Sequence, residues 1–113
     1  YSLKYDRADE NQFMIIKAPF EKIDIFQAQN AVKTIFKSKN SNYNLEISAD
    51  YTDNHYLIQE NEIVIGAIDC LDPIMKSKYR LEVNNLSKQS LIIIIGIMLD
   101  IYNLKNNNEL GIQ

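Results

Sequence analysis

The chain has 113 residues, 46% of them apolar and 24% charged, with a formal net charge of −3. That size fits one domain over residues 1–113, able to bury a core without disulfide staples. The acidic balance argues against nucleic acid, which is bound through clustered Lys and Arg, and the single cysteine, Cys70, rules out an internal disulfide.

Leu3 and Tyr5 alternate with polar neighbours and predict a first strand, followed by a turn at Ala8 to Asn11. Phe13-Met14-Ile15-Ile16 is a short apolar run that predicts a second strand, ended by Pro19, which has no N–H to give a ladder. Lys22 to Ile25 reads as a short strand or as the approach to a helix. Beyond it Ala28, Ala31, Val32, Ile35 and Phe36 fall at helical spacing, predicting an amphipathic helix over about residues 26–38. Asp24 would cap that helix. Lys33, Lys37 and Lys39 would form its wet side, and Lys37 to Asn42 its end and a loop.

Tyr43, Leu45, Ile47 and Ala49 alternate with Asn44, Glu46, Ser48 and Asp50, the pattern of a strand with one wet face. Thr52 to Asn54 is a turn signal. His55 to Gln59 and Ile63 to Ile68, joined by Glu60-Asn61-Glu62, predict a β-hairpin. After a turn at Asp72-Pro73, Tyr79, Leu81 and Val83 alternate with Lys78, Arg80 and Glu82 in a further strand.

Ser87 is a suitable N-cap, with Leu86 placed to staple onto Leu91. The run Leu91-Ile92-Ile93-Ile94-Ile95-Gly96-Ile97-Met98-Leu99 then predicts a C-terminal helix reaching about Leu104. A spanning helix needs about 20 apolar residues, so this run reads as a helix buried on all sides. Gly96 costs about 1 kcal/mol of helix propensity and implies the close approach of a neighbouring backbone. Asp100 ends the run and needs a backbone or basic partner, which would fix the helix's rotation; a cation or lipid headgroup is the alternative. Residues 105–113 are expected to be a mobile tail.

Residues of catalytic or ligating type are sparse. One Cys and one His, Cys70 and His55, cannot build a zinc site. They fall on what read as adjacent strands, but an inert buried thiol is the expectation for Cys70. The three glycines never cluster into a phosphate loop. Lys76, Lys78 and Arg80 recur at every second position, one face of a strand, and are the candidate contact to an anionic surface, with a solvated outer face as the plainer reading. No signal peptide, metal or cofactor is read.

The order Tyr56 to Ile68, then Lys78 to Val83, then Ser90 to Asp100 resembles the second half of the tubby C-terminal-like superfamily, which includes LURP-one-related proteins and phospholipid scramblases. The likeness covers about residues 45–103 and rests on pattern and order. It implies a β-barrel around a central apolar helix, with an aspartate near the helix end as is common in the LURP-one-related group. The strands read here are fewer than the family barrel uses, so the barrel is expected to be abbreviated, open or completed by a second chain. The family's phosphoinositide-binding basic residues have no counterpart, and no site is carried over.

The fold expected is α+β: a strongly curled antiparallel sheet or partial barrel around a buried hydrophobic C-terminal helix, with the amphipathic helix near residues 26–38 covering an edge or opening. The function expected is a non-enzymatic binding module of the tubby-like or LURP-one-related kind, cytoplasmic or peripheral to a membrane. Its partner would be a protein, an anionic lipid or a second copy. A small protein-interaction or immunity-type protein is the alternative, and an enzyme of unrecognised class the least favoured.

Overall fold

The computed structural model of the chain describes residues 2–5, 12–17, 21–28, 33–39, 44–50, 54–72 and 78–109. Among these residues eight strands follow one another: β1 Ser2–Tyr5, β2 Gln12–Lys17, β3 Glu21–Gln27, β4 Ile35–Lys39, β5 Leu45–Ala49, β6 His55–Glu60, β7 Ile63–Cys70 and β8 Tyr79–Val83. A 3-10 turn, Leu86–Lys88, leads into the helix α1, Gln89–Glu109. The strands form a single antiparallel sheet in chain order from β1 to β8. This curled half-barrel and its C-terminal helix make the α+β architecture that the alternation of apolar residues predicts.

Each strand sends alternate side chains to the concave face. Ile15, Ile23, Ile25, Phe36, Leu45, Ile47, Tyr56, Ile58 and Ile68 are fully or almost fully buried there. Against them α1 lays Leu91, Ile92, Ile95, Met98, Leu99 and Tyr102. Phe36 meets the Tyr102 ring edge-on at 5.0 Å, and Phe13 meets Phe36 at 6.2 Å, both within the range in which edge-to-face rings attract.

The helix expected over residues 26–38 is not formed. Phe26 and Gln27 complete β3, Ile35–Lys39 is β4, and the two pair through Gln27↔Phe36 and Phe26↔Lys37. Ala28 N donates to Ile35 O at 2.7 Å. Residues 29–32 lie outside the described residues. Helical spacing alone misleads here because Phe36 is needed between Gln27 and Ile47 in the core, and tertiary packing overrides a weak local pattern. Asp24 is therefore a strand residue rather than a cap. Lys37 stands on the wet face near Glu46, 3.7 Å away, and Lys33 is exposed outside any helix.

The β6–β7 hairpin forms as expected. Asn61 and Glu62 have φ of 51° and 68°, the left-handed pair that a two-residue type I′ connection requires. A bulge between Ile58 and Gln59 shifts its register. The turns expected at residues 8–11, at Pro19, at Thr52-Asp53 and at Pro73 lie outside the described residues.

The C-terminal helix differs from expectation at both ends. Ser87 lies inside the 3-10 turn that leads into α1, and Asn85 caps that turn: its Oδ1 accepts from Ser87 N at 3.0 Å and from Ser87 Oγ at 2.8 Å. Leu86 is 82% exposed, so no staple onto Leu91 exists. The helix continues through Asn106-Asn107-Asn108 to Glu109; residues 110–113 lie outside the described residues. Lys88 Nζ is 2.7 Å from Glu60 Oε1, which ties the start of α1 to the β6–β7 hairpin.

Candidate functional site

The helix is not sheathed on all sides. Ile93 is 44%, Ile97 47% and Leu104 61% exposed. These residues share one stripe of α1 with Asp100, which is also exposed. The apolar-all-round sequence led to the expectation of full burial, but among the described residues the sheet ends at β8 and this stripe stays exposed. The segment 86–104 has 19 residues and could cross a membrane by length and composition; the core helix of a globular domain meets the same criterion, and the opposite side of α1 is packed on the sheet.

Beside the stripe lies β8, the last strand. Tyr79, Leu81 and Val83 face the helix, since their strand partners Cys70, Ile68 and Gly66 face inward. Leu81 is nonetheless 37% exposed, because among the described residues no strand lies beyond β8. Tyr79, Leu81, Ile93, Gly96, Ile97 and Asp100 line an open groove of about 290 Å³. The groove is open along its length, whereas a small-molecule site encloses most of its ligand's surface. Leu81 and the tips of its neighbours suit a side chain from another macromolecule better.

At the groove's end Asn103 Nδ2 donates to the Tyr79 hydroxyl at 3.1 Å. Burial pushes the Tyr79 phenol up to about 12, with the Asn103 amide opposing and the Asp100 carboxylate adding to the rise. Tyr102 lies on the far side of α1, where Gln27 Nε2 donates to its hydroxyl at 3.4 Å. Asp100 thus stands at the groove beside Tyr79 instead of inside a sheath. Close backbone packing is not what Gly96 meets among the described residues of other elements: the atoms nearest to a Cβ there are Leu81 and Ile68 side-chain tips, the first at 3.4 Å.

A second cluster sits on the outer, convex face, across β6, β7 and β8. His55 Nδ1 is in hydrogen-bond contact with Asp69 Oδ1. Arg80 donates to Asp69 Oδ2 from Nη2 at 2.9 Å and from Nε at 3.3 Å. The His55 and Arg80 contacts hold the Asp69 carboxyl below its usual range. The sheet places these residues by register alone, His55↔Asp69 and Asp69↔Arg80. Sequence reading singled out His55 and Arg80 but not the carboxylate between them; Asp69 becomes visible only once both neighbouring strands are aligned.

That cluster changes two expectations. Arg80 is already engaged by Asp69, which weakens it as a free anion-binding cation. Of its proposed companions, Lys78 is exposed and Lys76 lies outside the described residues. His55 and Cys70 point to opposite faces of the sheet, so they form no thiol–imidazole pair. Cys70 is buried, and its Sγ lies 3.1 Å from the Asp72 carbonyl oxygen, to which it donates. Among the described residues no group of three His, Cys, Asp or Glu side chains is placed to hold a metal ion.

Comparison with known proteins finds no matching family model, curated protein or solved structure.

Proposed function

We propose that the chain is a non-enzymatic protein-binding module whose contact surface is the groove between β8 and α1. One observation carries this reading: β8, the last strand of the sheet among the described residues, and an exposed apolar helix stripe lie side by side in a single strip. An uncovered strand edge with apolar residues is a template for another strand, and strand addition combines edge hydrogen bonds with pockets for alternate side chains. Leu81, Ile93 and Ile97 would receive those side chains. The likeness to tubby-like and LURP-one-related proteins, in the order hairpin, strand, apolar helix, agrees with a binding role and supplies no site of its own.

A protein suits this strip better than a membrane. Hydrocarbon can cover Ile93 and Ile97, but it cannot satisfy the N–H and C=O groups along β8, and open sheet edges are not found facing lipid. The nearest described cation on β8, Arg80, is neutralised by Asp69.

Panning of the immobilised chain against a displayed peptide library tests the reading. Enriched peptides should alternate apolar and polar residues and bind an I97K variant about tenfold more weakly, in line with loss of a buried anchor at an interface. Absence of such peptides, together with I97K-sensitive sedimentation on phosphatidylserine vesicles, would overturn it in favour of a lipid surface.

A further inference from the structure

We infer that the groove between β8 and α1 takes an extended protein segment whose groove-facing side chains are two apolar residues followed by a Lys or Arg, the cation closing on the Asp100 carboxylate. The inference rests on the protein-binding reading and names the chemistry of its partner.

The spacing of the groove comes first. Along α1, Ile93 and Ile97 lie about 6 Å apart and Asp100 about 4.5 Å further on. On the facing wall Leu81 and Tyr79 are two strand residues apart, about 6.6 Å. Leu81 stands level with Gly96, its Cδ2 3.4 Å from the position a Cβ would take there. Tyr79 stands level with Asn103, to which it is hydrogen-bonded. Both walls therefore change together, from apolar at the Leu81 end to polar at the Tyr79 end. An extended segment repeats its same-face side chains every 6.6 Å or about that, close to the period of both walls. Two of them meet Ile93, Leu81 and Ile97, and the third arrives beside Tyr79 and Asp100.

The polar end is held in place from below. Asn103 is only 3% exposed, and its amide donates to the Tyr79 hydroxyl at 3.1 Å. With that oxygen accepting from Asn103, the Tyr79 proton is directed to Asp100, and the hydrogen bond between the two is among the causes that raise the phenol. A buried amide thus holds the phenol, and the phenol holds the carboxylate. Tyr79 stays neutral at ordinary pH, so Asp100 supplies the only charge among the residues lining the groove.

That charge is not balanced within the described residues. Lys88 is engaged by Glu60 at the start of α1, and Arg80 by Asp69 on the other face of the sheet. None of the ion pairs among the described residues includes Asp100. In the free chain Asp100 is exposed, and solvent meets its charge. An occupant that covers Ile97 removes part of that solvent. A wholly apolar segment would leave the carboxylate dehydrated and unpaired, which is costly. An acidic residue or an anionic lipid headgroup would add like-charge repulsion. A Lys or Arg offsets the lost hydration, and its methylene stem can lie along Ile97 while the charged head reaches Asp100.

The displayed peptide library tests this with the charge at residue 100 as the variable. Pools are selected in parallel on the wild type, D100N and D100K, each checked for wild-type circular dichroism. Asn keeps an acceptor for the Tyr79 hydroxyl at an exposed position, so D100N removes the charge and little else. The wild-type pool should carry Lys or Arg two positions from an apolar anchor. A synthetic peptide from that pool should bind D100N about fivefold more weakly. Its affinity for the wild type should fall as salt rises from about 0.05 to 0.5 M, and its affinity for D100N should stay nearly constant. The D100K pool should carry Asp or Glu at the same position. Should D100K fold poorly, D100N and the salt series decide alone. A wild-type pool with no basic preference, or peptides that bind D100N as tightly as the wild type, overturns the inference and leaves the protein-binding reading standing. A library that yields no Ile97-dependent peptide overturns both.

Discussion

Two glycines in this chain are expected to respond to the same substitution with opposite signs. At Gly66, in β7, an added Cβ would lie 2.4 Å from the Glu82 carbonyl oxygen and 2.9 Å from Ile92 Cδ1. A carbon and a carbonyl oxygen normally approach no closer than about 3.3 Å, so β8 would have to move by roughly 0.9 Å. Ile92 can yield by a rotamer change, but the carbonyl belongs to the backbone of the paired strand. Overpacking of this kind costs about 1–3 kcal/mol or more, and the stiffer unfolded chain returns about 0.4–1 kcal/mol. We expect Gly66→Ala to lose about 2 kcal/mol, a drop of roughly 8 °C in melting temperature for a domain of this size.

At Gly96 the same methyl would meet Leu81 Cδ2 at 3.4 Å and Ile68 Cδ1 at 3.8 Å, ordinary contacts with side-chain tips. The helix gains about 1 kcal/mol of propensity, and Gly96→Ala should raise the melting temperature by roughly 4 °C. Thermal unfolding followed by far-ultraviolet circular dichroism, at one fixed low protein concentration, reads both. If Gly66→Ala melts with the wild type, the close passage of β8 past β7 is wrong. If Gly96→Ala falls as far as Gly66→Ala, a backbone packs on Gly96 after all.

Truncating the fully buried Ile92 to Ala should cost about 3 kcal/mol in urea unfolding. Glu60→Gln breaks the largely sheltered contact to Lys88 and should cost about 1–2 kcal/mol, seen as a lower urea midpoint with unchanged slope. The Asp69 carboxyl is depressed in the folded chain; its contribution is therefore full above the unfolded value and lost as pH falls through the lower folded one. Asp69→Asn should be less stable than wild type at neutral pH, with the gap narrowing in acid unfolding below about pH 4. Tyr79 is shifted the other way, to about 12. Its effect is absent below the unfolded value near 10 and grows as unfolding is favoured from there to about pH 12, so Tyr79→Phe should flatten that alkaline limb of the stability curve.

The strands β5 to β8 were legible because each alternates cleanly, apolar side chains meeting a core on one face and water on the other. The Asn61-Glu62 connection is short enough to leave only a hairpin. β4 was not legible. Ile35 and Phe36 extend a helical spacing begun by Ala28, Ala31 and Val32, and nothing local announces that Phe36 must stack on Tyr102, far along the chain. The exposed stripe was hidden for a different reason. Leu91 to Leu99 is apolar all round, so its sequence carries no record of which side the sheet leaves open. Arg80 was visible as a cation and Asp69 as a strand residue, but their pairing depends on a register between strands that sequence patterns do not encode.

The β8 sequence Tyr-Arg-Leu-Glu-Val reads as an ordinary alternating strand until its place in the sheet is known. As an inner strand, with neighbours on both sides, its charge order would have no consequence beyond two solvated side chains. As the last strand of the sheet among the described residues, it sets Leu81 beside the exposed stripe of α1, while Arg80 reaches Asp69 on the other face. The same holds for α1. A helix apolar on every face is a burden on a sheet that covers only part of it. The exposed part is confined to one stripe beside the open edge, so a single partner can relieve both. Covering Ile93 and Ile97 while leaving β8 bare, or the reverse, would meet only half of the requirement. A partner that covers both the β8 side and the Ile93–Ile97 stripe meets all of it.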